Sequence, residues 1–231
     1  MTSFKPLFSL RRAMFNTAAV PKHPKYSYQH TPSKTPFLNE HISERLRSIT
    51  EKHHSRTAMI FHEQGKSFTY EELNREVEEV AKGLVALGLE PGDRVGIYSP
   101  NRYEWLITMY ACARANLITV NVNPAFQEDE LEYCLNQVGV KTLVMPAKFK
   151  SSNYIQIVKA LVPELESSMN PLNLGKPARL PSLKSIVMMD DLKEQGMINF
   201  KDLYKLHTGD DALELSKREN SIYFEDVTNI Q

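Results

Sequence analysis

Short β-branched stretches alternate along this chain with longer stretches whose apolar residues recur at helical spacing, and this alternation is what most constrains the fold. Consecutive strands separated by helices cannot pair as hairpins. They become parallel neighbours joined by crossovers, and the crossover helices cover both faces of the sheet. Ile42, Leu46 and Ile49 open the pattern as a short helix ending near His53-His54. Residues 57–63 read as a strand that Gln64-Gly65-Lys66 turns into a second one ending near Phe68. Thr69 followed three residues later by Glu72 predicts a capping box. The helix it opens carries Leu73, Val77, Val80, Ala81, Leu84 and Leu87 on one face, and Gly88 ends it. After the Pro91-Gly92 turn come a strand (94–99), a nearly all-apolar helix (103–115) and a strand (117–122). A helix (128–137, ended by Gly139), a strand (141–145) and a helix (154–162) follow. Residues 164–181, with three prolines, read as a surface loop; a strand (184–189) and a short helix (200–206) come after it. The expected class is α/β, a mostly parallel sheet flanked by helices.

Charge is placed unevenly. Of 28 basic and 28 acidic residues, residues 1–39 hold six basic ones (Lys5, Arg11, Arg12, Lys22, Lys25, Lys34) and no acid, so the remainder carries a net charge of −6. An acid-free segment with interspersed Phe4, Leu7, Phe8, Leu10, Met14 and Phe15 reads as a mitochondrial targeting sequence, with a disordered basic tail as the alternative. Four prolines between Pro21 and Pro36 read as an extended linker. The expected organisation is a targeting segment and linker over residues 1–38 and a folded part over residues 39–231. Zero net charge argues against a dedicated nucleic-acid binder, which is normally basic over its whole domain. No apolar run approaches the ~20 residues of a membrane span.

The short motifs yield no active site. Gly65-Lys66-Ser67 imitates the end of a phosphate loop, but Ile60 stands where that loop needs its first glycine, so a hairpin turn is expected. Gly83, Gly88, Gly92 and Gly96 lack dinucleotide-binding spacing. His62-Glu63 fails the helical zinc pattern because position 66 is Lys66, and His53 and His54 read as exposed polar residues. Cys112 and Cys134 fall on apolar helix faces, where a thiol is usually a small hydrophobe. Asp190-Asp191 and Asp210-Asp211 read as solvated turn acids.

An ordered set of segments is more specific. Ser67-Phe68-Thr69-Tyr70-Glu71-Glu72-Leu73 comes first, then Gly88-Leu89-Glu90-Pro91-Gly92-Asp93-Arg94-Val95-Gly96-Ile97, Asn101 and Glu104-Trp105. Val120-Asn121-Val122-Asn123-Pro124-Ala125 and Glu130-Leu131-Glu132-Tyr133 follow. From about residue 42 to the end, the chain resembles the N-terminal portion of the AMP-forming acyl-CoA synthetase (adenylate-forming ligase) family. Residues 120–127, Phe149-Lys150 and the acid-free leader are most similar to its mitochondrial medium-chain branch. Asn116 departs from the pattern, since many relatives place glycine there, and residues 167–181 do not follow it clearly.

The resemblance implies a fatty acid CoA ligase of the mitochondrial matrix that uses ATP, Mg2+ and CoA and passes through an acyl-adenylate. In the family, a strand similar to residues 226–231 leads into a Ser/Thr/Gly-rich phosphate loop ending in Pro-Lys-Gly. That loop, the adenine pocket, the Mg2+ acids and the C-terminal catalytic lysine are not among these 231 residues. The expectation is therefore an incomplete N-terminal part of the large adenylate-forming domain. It would bind no cofactor on its own, be inactive alone, and have no catalytic, cofactor-binding or metal residue to assign. An unpaired sheet edge would make it poorly soluble. Two alternatives stand beside this reading: a short non-catalytic product that pairs with the full-length enzyme or holds a partner, and an unrelated doubly wound nucleotide binder.

Overall fold

The computed structural model describes residue 31 and residues 33–231. The chain divides into Met1–Leu38 and a compact unit, Asn39–Gln231. The targeting segment expected within residues 1–38 lies outside the described residues up to residue 30. The compact unit opens with α1 (Ile42–His53), β1 (Thr57–Phe61), β2 (Lys66–Thr69) and α2 (Tyr70–Ala86). It continues through β3 (Arg94–Tyr98), α3 (Tyr103–Arg114), β4 (Ile118–Val122), α4 (Glu128–Val138) and β5 (Val140–Met145). Then come β6 (Lys148–Phe149), β7 (Ser152–Asn153), α5 (Tyr154–Leu161), β8 (Ser185–Met188) and β9 (Ile198–Asn199). The short α6 (Leu203–Leu206), α7 (Gly209–Asn220) and β10 (Asn229–Ile230) complete it.

Six strands form one parallel sheet in the order β10-β4-β3-β5-β8-β9, while β1–β2 and β6–β7 are antiparallel hairpins. Side chains alternate between the two faces with the period of two that a strand imposes. Val95, Ile97, Val144 and Val187 face a core built with α2 and α3, joined by Leu46, Leu203 and Leu215. Tyr98, Val120, Val122, Leu143, Met145, Ile186 and Met188 face a second core built with α4 and α5. The fold class is thus the expected one, a mostly parallel α/β sheet covered on both faces.

Local signals hold where they were sharpest. Thr69 accepts the Glu72 amide at 3.2 Å while the Glu72 carboxylate accepts the Thr69 amide at 2.8 Å, the reciprocal capping box. Gly88 takes φ +72° after α2 and Gly139 takes φ +65° after α4. Asn116 follows α3 at φ +56°, and asparagine is among the few residues other than glycine that enter the left-handed region readily.

Several expectations need correction. Asp210 and Asp211 are not turn acids; they open α7, where Thr208 and Asp211 form another capping box. α7 was missed because its buried face rests on Leu215 and Arg218 rather than on an apolar stripe. The 164–181 loop is not all surface, since Leu165 and Leu180 are buried and Pro163–Ser167 forms a 3-10 helix. Helix α3 buries Glu104 and Arg114 beside its apolar residues. Arg114 donates to Ser43 Oγ at 3.1 Å and to Asn74 Oδ1 at 2.5 Å and lies 3.6 Å from Glu219, drawing α1, α2 and α7 around α3.

Helix α6 crosses α2 at Gly83, where an added Cβ would lie 2.5 Å from the Leu203 carbonyl oxygen. Because backbone cannot yield as a side-chain tip can, Gly83→Ala is expected to destabilise the unit by roughly 1–3 kcal/mol despite alanine's higher helix propensity. Urea unfolding of the two proteins measures the difference, and an unchanged or higher midpoint would refute the close approach.

Candidate functional site

In an open parallel sheet a ligand crevice forms at the carboxyl ends of two neighbouring strands whose following helices leave to opposite faces. β3 and β5 meet that condition. They are adjacent and parallel, and α3 covers one face while α5 covers the other. A cavity of about 550 Å³ opens beside their carboxyl ends. The β1–β2 turn supplies Ile60 to Gln64, the loop after β3 supplies Pro100, Asn101 and Arg102, and the segment after β5 supplies Lys148, Phe149 and Lys150.

One arginine organises the cavity wall. Arg102 donates from Nε and Nη2 to the Glu104 carboxylate at 3.1 and 3.2 Å, and its Nη1 lies 2.9 Å from Asp190 Oδ1. Glu104 is almost fully buried and also accepts Gln64 Nε2 at 2.9 Å. Gln64 Oε1 in turn accepts the Tyr103 amide at 2.9 Å, so the hairpin tip caps the first turn of α3. Asp190 Oδ2 accepts the Ala147 amide at 2.7 Å, which ties the loop after β5 to the same cluster. Fork-like guanidinium geometry suits such a two-carboxylate brace. Arg102 is therefore neutralised from behind and acts as a fixed wall.

The two lysines differ. Lys148 and Lys150 are exposed, and among the described residues neither forms an ion pair. Lys150 sits at φ +51° at the β6–β7 turn with Nζ 5.2 Å from the centre of the Phe149 ring. Two unpaired cations at the mouth of a switch-point crevice make it receptive to a polyanion such as a nucleotide phosphate. Among the described residues no group of three or more His, Cys, Asp or Glu side chains could hold a metal ion.

The motifs weighed in the sequence distribute as follows. Gly65, at φ +60°, donates its amide to the His62 carbonyl at 3.1 Å, so Gly65-Lys66-Ser67 is a hairpin turn. His53, His54, His62 and Glu63 are exposed. Cys112 is buried, and burial pushes its thiol up to about 12; Cys134 is half-buried and is pushed up for the same reason. Asp191 remains a solvated acid beside Lys201, but Asp190 does not: it is part of the Arg102 brace. Sequence reasoning missed Arg102, Lys148 and Lys150 as a group because Asp190, which braces Arg102, lies 88 positions away and only the strand order brings the two lysines to the same crevice. The one available signal was position, directly after two predicted parallel strands.

A second cavity, about 530 Å³, lies between β4, β10 and α4 and is lined by Val120, Phe126, Tyr133, Cys134, Val138 and Ile230 among others. It is apolar, and the acids Asp129 and Glu130 also line it.

Residues 46–208 match the family described as AMP-binding enzyme. The chain is 36% identical over 205 residues to the medium-chain acyl-CoA ligase ACSF2, mitochondrial, of Danio rerio, covering 89% of this chain and 33% of that protein. It is 38% identical over 165 residues to the protein of the same name from Rattus norvegicus, covering 71% and 26%. The chain thus spans a third or less of the length of these relatives. Among solved structures, a mutant form of coronafacic acid ligase from Pectobacterium brasiliense matches with a TM-score of 0.63 at 18% identity, over 83% of this chain and 33% of that one. That likeness is one of fold.

Removing the brace tests the wall. Arg102→Met leaves the buried Glu104 with Gln64 as its remaining partner, and a loss of about 2–3 kcal/mol is expected because Arg102 and Asp190 are partly solvated. Urea unfolding reads it, and a change below about 0.5 kcal/mol, the range of ordinary surface substitutions, would show the brace to be dispensable. Thiol labelling gives an independent check. In the native chain at mildly alkaline pH, Cys134 is expected to react at least roughly 100-fold faster than Cys112, which becomes reactive on unfolding.

Proposed function

This chain belongs to the AMP-binding enzyme family, and on that footing we propose that Asn39–Gln231 is the N-terminal portion of a mitochondrial fatty acyl-CoA ligase acting on medium-chain substrates. In that reaction a carboxylate oxygen attacks the α-phosphorus of ATP, pyrophosphate leaves and an acyl-adenylate forms. The CoA sulfur then attacks the acyl carbon, AMP leaves, and the thiol proton passes to solvent. The identity to ligases of that name supports the substrate class and a mitochondrial setting; the matrix as the compartment is part of the proposal.

The observation that carries the reading is the switch-point crevice with Lys148 and Lys150 at its mouth. Both ATP and CoA bring several negative charges, and exposed lysines at a concave site raise the local concentration of such ligands without needing exact geometry. Arg102, braced by Glu104 and Asp190, shapes the wall behind them. This part of the ligase docks and orients substrate phosphates; the 231 residues alone do not complete the chemistry.

One observation favours a second reading, a non-catalytic chain that pairs with a full-length ligase: the apolar recess at β4, β10 and α4, with Tyr133 exposed beside it. Co-expression separates the two, since a stable complex with the full-length enzyme is expected under the second reading alone.

The purified chain, given ATP, Mg2+, CoA and a medium-chain fatty acid, is expected to form no acyl-CoA above background; formation would overturn the claim of inactivity. Residues 39–231 grafted in place of the matching segment of a full-length relative are expected to yield an active ligase. In that graft, Lys148→Glu with Lys150→Glu is expected to raise KM for ATP or CoA roughly tenfold, as loss of about 1.4 kcal/mol of phosphate attraction would. An unchanged KM for both would remove the lysines from the site.

A further inference from the structure

Two tyrosines that take no part in the Arg102 brace converge on the main chain beside the crevice. Tyr98 is the last residue of β3 and Tyr154 the first of α5. Both are fully buried, and their rings stack with centroids 3.8 Å apart and planes inclined by 22°. Each hydroxyl donates to a carbonyl of the same loop, the one that follows β4: Tyr154 to Pro124 O at 2.5 Å, and Tyr98 to Phe126 O. Burial raises both phenols, Tyr154 to about 12, so each keeps its proton and stays a donor at physiological pH.

The loop is held from other sides too. Asn123 Oδ1 accepts the Ala125 amide at 2.9 Å, and Gln127 Nε2 donates to Ala125 O at 3.2 Å and to Ser152 Oγ at 3.1 Å. Ser152 belongs to the hairpin that carries Lys148 and Lys150, and the Tyr154 amide donates to Ala147 O at 3.0 Å at the base of that hairpin. The phenol pair therefore joins the end of β3, the start of α5, the loop after β4 and, through Gln127 and Ala147, the lysine-bearing hairpin. A core that needed only ring volume would be served by phenylalanine. Two hydroxyls on alternate carbonyls of one loop add direction, because each donor fixes where a peptide plane points.

The geometry points to Tyr98 and Tyr154 as positioning residues that clamp residues 123–127 and hold the Lys148–Lys150 hairpin in register with the crevice. The role rests on the ligase reading for its benefit to catalysis, but the clamp itself is a property of this chain. Neither phenol is among the residues that line the crevice, and both hydroxyls bond to main chain. A loop so held meets a phosphate-bearing substrate already ordered, and binding then loses less conformational freedom.

Tyr98→Phe and Tyr154→Phe keep the stacked rings and delete one donor each. In the full 231-residue chain, amide hydrogen exchange at Ala125, Phe126, Gln127 and positions 148 to 152 is expected to quicken roughly tenfold or more, while exchange in β5 and β8 stays as in the parent. Unchanged exchange at both segments, or a uniform rise over the whole unit, would overturn the clamp. Should one variant fail to fold, the other carries the same comparison. In the active graft, either variant is expected to raise KM for ATP or CoA severalfold with kcat little changed; a fall in kcat with KM unchanged would refute positioning. An inactive parent graft counts against the ligase reading alone, and the exchange result still decides the clamp.

Discussion

Parallel strands must be buried on both faces, and most of this architecture follows from that requirement. The crossover that returns the chain to the start of a parallel neighbour is a helix, and the helix lies on one face or the other. Here α3 takes one face after β3 and α5 takes the other after β5, so the loops leaving two adjacent strands diverge. The crevice between them is a consequence of topology before any side chain is considered. What the side chains add is its character: a neutralised arginine as wall and two exposed lysines at the mouth.

The polar groups inside this fold act as ties between layers. Arg114 draws Ser43, Asn74 and Glu219 toward α3, while Arg218 on α7 donates to the Leu89 carbonyl at 2.6 Å. Glu104, also on α3, reaches in the other direction to Gln64 and Arg102. Desolvating such charges is costly, and their attraction offsets that cost only when nearly every donor and acceptor is used. Arg114 approaches that condition through partners from three segments, and Glu104 through Arg102 and Gln64 from two. Their worth is specificity of arrangement: they set where α7 docks and how the β1–β2 hairpin stands over the crevice.

Family membership and competence for chemistry are separate matters. The match over residues 46–208 assigns the family, and the fold likeness to a coronafacic acid ligase agrees with it. A chain that spans a third or less of its relatives can contribute a scaffold, a docking surface and a rigid loop, each of which is physically complete within it. The apolar recess at β4, β10 and α4 belongs in the same account, as a surface whose burial would stabilise any assembly that covers it.

Sequence by itself determined the elements whose causes are local. The capping box at Thr69 and Glu72, the left-handed stops at Gly88 and Gly139, the Gln64-Gly65 hairpin and the strand–helix alternation are each set within a few residues. From these the parallel α/β class follows. Tertiary structure alone decided the rest, and distance along the chain is the reason. Helix α7 was illegible because its buried positions include Arg218, whose partner Leu89 is 129 positions away. Asp190 read as a solvated acid because nothing near it in sequence announces Arg102, and the Tyr98–Tyr154 clamp joins residues 56 positions apart. Local patterns record the backbone's own preferences; the site depends on which loops the sheet order brings to one edge, and that order forms only when the strands pair.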